Sequence, residues 1–209
     1  AYNPIVAGGE NACVLHYVEN NQQLNNDDLL LVDAGCEYEM YAADITRTFP
    51  VSGKFSDEQL AIYKVVLDAM NAAIDMVKPG NHIMQPQEIS EKVITEGLVK
   101  LGLLDGDPEE LHKSGAYKEF YMHKIGHWLG LDVHDAGDYV EGEEYMKFKP
   151  GMITTIEPGI YISSSMDIDD KWKGIGIRIE DDILVTKDGN ENLTKKVPSD
   201  PEEIESLMS

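Results

Sequence analysis

The chain has 209 residues, with 39 Asp and Glu against 17 Lys and Arg, a formal net charge of -22, 42% hydrophobic residues and two cysteines. That acidity excludes a nucleic-acid backbone and an anionic membrane surface as partners of the domain as a whole, since both need a basic face. The ordinary apolar content argues for a folded chain, and the length suits one large domain.

In chain order, residues 2–11 read as an extended piece closed by Gly8-Gly9, and residues 12–17 alternate enough to predict a strand. A polar loop fills 19–28. Leu29-Leu30-Leu31-Val32-Asp33-Ala34-Gly35 is an apolar run ending in an acid, and 43–51, β-branched and aromatic around Asp44, predicts a second strand. The period changes at Ser56, which forms a capping-box pair with Gln59. Leu60, Tyr63, Val66, Met70, Ala73 and Val77 then recur at helical spacing, so a long amphipathic helix is expected to end at Pro79-Gly80. Pro86 opens a second helix with the stripe Ile89, Val93, Ile94, Leu98 and Leu101, and Gly102 stops it. Both helices read as packing elements.

An acidic loop at 105–110 leads to the histidine-bearing segment 121–135. Strands return over 152–162 and 176–186, Asp188-Gly189 makes a turn, and 202–208 predicts a terminal helical turn. No apolar run reaches the roughly 18 residues of a membrane span. Cys13 and Cys36 are too few for a disulfide framework, so a reducing, cytoplasmic setting is the expectation.

The pattern contains a repeat. A strand reaching Asp33-Ala34-Gly35, with Tyr38 close behind, is followed by one carrying Asp44; a strand reaching Glu157-Pro158-Gly159, with Tyr161 close behind, is followed by one carrying Glu180. Two similar halves facing each other would direct these acids at a shared centre. Carboxylates inside apolar strands are costly unless their charge is compensated, and a divalent cation or a pair of them is the simplest compensation for four. A carboxylate-rich site with one imidazole suits Mn, Co, Fe or Zn. His123, His127 and His134 supply the imidazole candidates; Gly126 and Gly130 and the alternation of Leu129, Leu131 and Val133 predict extended chain there rather than helix. His82 and His112, in polar loop contexts, read as ordinary solvated residues.

The order Asp33, Asp44, His127, Glu157, Glu180 now stands in the strings Val32-Asp33-Ala34-Gly35, Ala43-Asp44-Ile45-Thr46-Arg47-Thr48, His127-Trp128-Leu129-Gly130-Leu131-Asp132-Val133-His134-Asp135, Ile156-Glu157-Pro158-Gly159 and Gly176-Ile177-Arg178-Ile179-Glu180-Asp181. It resembles the pita-bread metallopeptidases of family M24, which include methionine aminopeptidase, prolidase and Xaa-Pro aminopeptidase (aminopeptidase P). Within them the resemblance is nearest to aminopeptidase P, through Trp128, the tail 189–194 and Pro201-Glu202-Glu203-Ile204-Glu205.

The resemblance implies an α+β pita-bread fold, two pseudo-symmetric halves of antiparallel sheet with helices outside. It also implies a metal-dependent exopeptidase that releases the residue preceding proline. By resemblance Asp33, Asp44, His127, Glu157 and Glu180 hold two divalent ions, Mn ahead of Co or Zn, with Asp44 and Glu180 bridging the pair. A bridging hydroxide is then the implied nucleophile, Glu157 the general base, His134 a stabiliser of the oxyanion and His123 a guide for the leaving proline. His16 and Arg178 match positions that contact substrate or support the ligands.

The family's small residue is replaced here by Lys124. Its first helix and N-terminal domain have no counterpart in residues 1–209, so the chain is expected to be the catalytic domain of a longer, homo-oligomeric parent acting on proline-containing peptides, with neither nucleic acid nor membrane as partner. Two alternatives are a prolidase restricted to Xaa-Pro dipeptides and a non-catalytic pita-bread module that binds peptides; the filled ligand positions weigh against the second.

Overall fold

The computed structural model describes all 209 residues. In chain order the elements are β1 (Ile5–Gly8), β2 (Leu29–Asp33), β3 (Glu37–Tyr38), β4 (Tyr41–Ala42), β5 (Thr46–Pro50), α1 (Asp57–Ile74), α2 (Gln85–Lys100), α3 (Pro108–Ser114), β6 (Val140–Glu141), β7 (Glu144–Tyr145), β8 (Ile153–Ile156), β9 (Gly159–Ile162), β10 (Ile175–Arg178), β11 (Asp181–Val185), β12 (Asn190–Asn192) and α4 (Pro201–Met208). Every strand pairing is antiparallel.

Each half is one long hairpin interrupted in the middle. In the first, β2 pairs with β5 up to Asp33 opposite Thr46, the pairing breaks, and β3 then pairs with β4 from Glu37 opposite Ala42. In the second, β8 pairs with β11 up to Ile156 opposite Asp181, the pairing breaks, and β9 pairs with β10 from Gly159 opposite Arg178. Asp33 and Asp44 border one interruption; Glu157 and Glu180 occupy the other. The sequence repeat is therefore a structural one, with the acids where each ladder opens. The two halves join directly, because the Glu180 amide donates to the Thr46 carbonyl at 3.0 Å.

Ser56 caps α1 as its sequence predicts: its side chain accepts from the Gln59 amide while the Gln59 side chain accepts from the Ser56 amide. The buried face of α1, including Ile62, Val66 and Met70, joins Ile94 and Leu98 of α2 in one core with Ile156, Ile160, Ile177 and Ile183 of the second half. A smaller core of Ile5, Ala7, Ala12, Tyr17 and Leu31 lies beneath the first half. Helices thus flank the sheets on the side away from the acids, as expected for the pita-bread architecture.

Several expectations need correction. Residues 12–17 form no strand: Gly9–Cys13 is a 3-10 turn, which puts Ala12 and Tyr17 into the small core without a ladder. The predicted strand 43–51 begins at Thr46, so Asp44 precedes it. Runs 152–162 and 176–186 are each split, since Pro158 has no amide to donate and Glu180 gives its amide to Thr46 instead of to a neighbouring strand. Helix α1 ends at Ile74 rather than at Pro79, although Val77 is still buried. Part of the acidic loop 105–110 is the start of α3, where Asp107 accepts from the amides of Glu109 and Glu110.

Candidate metal centre

One open cavity of about 380 Å³ lies between the two interruptions, and all nine residues singled out from the sequence line it: His16, Asp33, Asp44, His123, His127, His134, Glu157, Arg178 and Glu180. Gly35 explains part of this placement. A Cβ at that position would fall 1.6 Å from the Ala43 carbonyl oxygen, so only glycine lets the Asp33 and Asp44 segments run this close together.

Asp44, His127 and Glu180 each present a ligand atom within 4.8 Å of the others. His127 Nε2 stands 3.4 Å from Asp44 Oδ2 and 3.6 Å from Glu157 Oε1. Its Nδ1 faces the Trp128 carbonyl at 3.1 Å; a carbonyl only accepts, so Nδ1 carries a proton and Nε2 is the atom left for the carboxylates or for a cation. The histidine segment is not a helix, as the sequence predicts, but neither does it form a strand: Trp128 makes an isolated bridge to Thr154 and the chain bends over 130–134, while residues 125–127 are held against the second half by Thr155 N to the His127 carbonyl at 3.0 Å and Glu157 N to the Ile125 carbonyl at 2.7 Å.

Asp33 is held differently. Arg178 Nη2 donates to its Oδ2 at 2.6 Å, and the Tyr2 hydroxyl sits between Asp33 Oδ1 and Asp44 Oδ1, with a single proton to share between the two. Glu180 Oε2 accepts from the Thr46 hydroxyl at 2.6 Å, whereas Glu180 Oε1 is buried without any partner. Buried carboxylate oxygens seldom stay unpaired, so this oxygen fits a cation ligand. The oxygen-rich donor set with one neutral-capable imidazole has the same chemistry, that of a divalent metal site.

The protonation states follow from the surroundings. Burial raises Glu157 to about 7, and burial together with the neighbouring Glu157 and Asp44 raises Glu180 well above the usual carboxylate range. Burial also raises Asp33, opposed by Arg178. Asp44 is buried too, but hydrogen bonds from His127 and Tyr2 outweigh desolvation and bring it below its ordinary value. Burial works to lower His127, yet its bonds to Asp44 and Trp128 raise it. A cation here would compete with the proton that His127 shares with Asp44.

Around this cluster, His123 donates from Nδ1 to the Lys124 carbonyl at 2.8 Å and receives the Tyr161 hydroxyl on Nε2 at 2.8 Å. Burial lowers it to about 4, so its ring is neutral. His134 lies with its ring centroid 4.3 Å from that of His127, edge to face, and burial and His127 hold it below the ordinary imidazole value. Four further residues support the cluster: Tyr161, which belongs to the sequence repeat, and Tyr2, Thr46 and Asp182, which do not. Asp182 Oδ2 receives the Asp44 amide at 3.2 Å, which fixes the backbone at that acid, and burial raises the group to about 7. The only local signal for any of them is the Tyr that follows each acid-x-Gly, and it holds for Tyr161 but not for Tyr38, which is exposed.

The model of metallopeptidase family M24 matches residues 1–187. The Xaa-Pro aminopeptidase of Haemophilus influenzae is 54% identical over 209 residues, 100% of this chain and 48% of that protein; that of Escherichia coli is 50% identical over 208 residues and matched over 47% of its length. The solved structure of Pseudomonas aeruginosa aminopeptidase PepP superposes with a TM-score of 0.98 at 55% identity, covering 99% of this chain and 47% of that one. A variant of Escherichia coli aminopeptidase P solved in complex with substrate gives a TM-score of 0.96 at 49% identity. The chain spans about half the length of the relatives it matches.

Proposed function

The chain belongs to metallopeptidase family M24, and from that premise we propose that it carries the catalytic centre of a metal-dependent exopeptidase that removes the N-terminal residue from peptides with proline second. The relatives named as Xaa-Pro aminopeptidases support this reading over a prolidase or a non-catalytic module. The observation that carries it is the buried Glu180 Oε1, unpaired at the centre of three further carboxylates and one imidazole.

In this proposal Asp33, Asp44, His127, Glu157 and Glu180 would hold two divalent cations, with Mn as the preferred ion. Bound there, the cations supply Lewis acidity, lowering the pKa of a water and polarising the scissile carbonyl. Glu157, lining the cavity beside His127, is placed to take a proton and return it to the leaving imino nitrogen. His134, exposed beside His127, is placed to donate to the oxyanion. Neutral His123, its tautomer set by the Lys124 carbonyl, positions the proline side, with His16 lining the same cavity. Arg178 spans Asp33, Thr46 and Tyr161 and keeps the first ligand in place.

No helix is long and apolar enough to cross a membrane, and the acidic surface fits the proposed cytoplasmic peptide hydrolase rather than a nucleic-acid binder. The test is hydrolysis of Xaa-Pro-Yaa tripeptides, Xaa-Pro dipeptides and proline-free tripeptides by Mn-loaded protein. Release of Xaa from the proline tripeptides alone is expected; cleavage confined to dipeptides would assign a prolidase, and no cleavage of any would refute the enzyme.

A further inference from the structure

One residue on the rim of the cavity has no polar partner of its own. Lys124 follows His123, is exposed, and lines the cavity together with Tyr139. Its Nζ lies 5.6 Å from the centroid of the Tyr139 ring, a cation–π contact that limits where the ammonium travels. Lys124 belongs to none of the molecule's ion pairs. The only other permanently charged cation lining the cavity, Arg178, is committed to Asp33 at 2.6 Å and to Thr46 and Tyr161.

The side of the cavity matters. Under the reading above, the free amine of a peptide lies toward the carboxylates and the proline toward His123, so the chain beyond proline passes the next residue, Lys124. In a tripeptide that stretch ends one residue later in a free carboxylate. We propose that Lys124 is a specificity-determining residue that pairs with the C-terminal carboxylate of short Xaa-Pro-Yaa substrates, so that the site favours free tripeptide acids over the same peptides with a blocked C-terminus. The ring of Tyr139 keeps the ammonium at the rim, which lessens the side-chain freedom lost on pairing. A pair at an open rim is partly solvated, so its contribution is modest and sensitive to salt.

This assignment rests on the aminopeptidase reading, and the experiment separates the two. Steady-state kcat and KM are measured for Ala-Pro-Leu and for Ala-Pro-Leu amide with the Mn-loaded wild type, Lys124→Met and Lys124→Arg. The wild type is expected to show a KM for the acid about two- to fivefold below that for the amide, with similar kcat. Lys124→Met brings the two KM values together, Lys124→Arg keeps them apart, and raised salt narrows the gap in the wild type. Cleavage of both peptides with the same acid-to-amide ratio in wild type and Lys124→Met overturns the role of Lys124 alone. Failure of the wild type to cleave either peptide overturns the aminopeptidase reading and this assignment with it.

Discussion

Thr46 and Glu180 meet across the two halves twice: the Thr46 hydroxyl donates to Glu180 Oε2 at 2.6 Å, and the Glu180 amide donates to the Thr46 carbonyl at 3.0 Å. Neutral bonding therefore fixes one oxygen of the carboxylate and leaves Oε1 aimed, unpaired, at the cluster. In the metal-free protein, burial and the neighbouring Glu157, Asp44 and Asp33 raise this group well above the usual carboxylate range, so folding at neutral pH must work against its ionisation.

From this arrangement Glu180→Gln is expected to act in opposite directions on stability and on metal binding. Removing an uncompensated buried carboxylate should stabilise the metal-free protein by about 1–3 kcal/mol, while divalent-ion affinity and peptide hydrolysis fall by about 100-fold or more. Melting in chelator and metal titration of both proteins check this. A variant that melts lower in chelator, or that binds metal as tightly as the wild type, contradicts the placement of Glu180 at the centre.

Glu157 provides a pH prediction. Its folded value of about 7 lies above the ordinary 4.5, so between those values the folded state holds a proton that the unfolded state has lost. The contribution to stability is complete below about 4.5 and declines as pH rises toward 7. His123, lowered from 6.5 to about 4, acts oppositely, because its stabilising contribution is lost as pH falls through that window. A comparison with Glu157→Gln isolates the carboxyl: in chelator the variant should gain on the wild type steadily from pH 4.5 to 7 and no further above it. Parallel melting curves across that range would refute a buried, protonated Glu157.

The sequence shows the acids and the imidazoles but not how they are held, and the reason is physical. Asp33, Asp44, Glu157 and Glu180 stand out because a carboxylate in an apolar strand is a local anomaly, and the repeat doubles it. Ser56 and Gln59 mark the start of α1 because capping is complete within one turn. Tyr2, Thr46 and Asp182 act instead through contacts with residues distant in the chain, so nothing near them signals a role. The strands at 152–162 and 176–186 look continuous in hydrophobicity because both sides of each break are buried; Pro158 marks the first break, whereas the second arises from the bond of the Glu180 amide to Thr46 in the other half.

Arg47 extends the same lesson to the protein's stability. Its guanidinium donates to Asp181 at 2.7 Å, to the carbonyls of Thr46 and Glu180 at 2.9 and 2.6 Å, and to Val197 and Pro198 near the C-terminus, with only 2% of the side chain exposed. Arg47→Met strips the partner from a buried Asp181, which retains only Asn192 and Thr194 as donors, so a loss of about 3–5 kcal/mol is expected. Adding Asp181→Asn should recover part of it. Urea melts of the single and double variants measure the coupling; additive losses would show that the pair is not an energetic unit.

Gly126 links the histidine segment to the second half. It lies where residues 125–127 run against 155–157, and a Cβ there would fall 2.0 Å from the Thr155 carbonyl oxygen, a backbone atom that cannot swing aside. The amide of Glu157 and the carbonyl of Ile125 lie 2.7 Å apart on one side of this contact, and the amide of Thr155 and the carbonyl of His127 lie 3.0 Å apart on the other. Gly126→Ala must spread these segments and draw His127 away from Glu157, now 3.6 Å from it. Overpacking of this kind costs about 1–3 kcal/mol. Because the displaced residue is the one imidazole of the ligand cluster, metal affinity should fall along with stability. Gly189→Ala is the control, with nothing within 4 Å of its added Cβ. If Gly126→Ala matched Gly189→Ala in both melting temperature and metal affinity, the close approach of the two segments would not be what places His127.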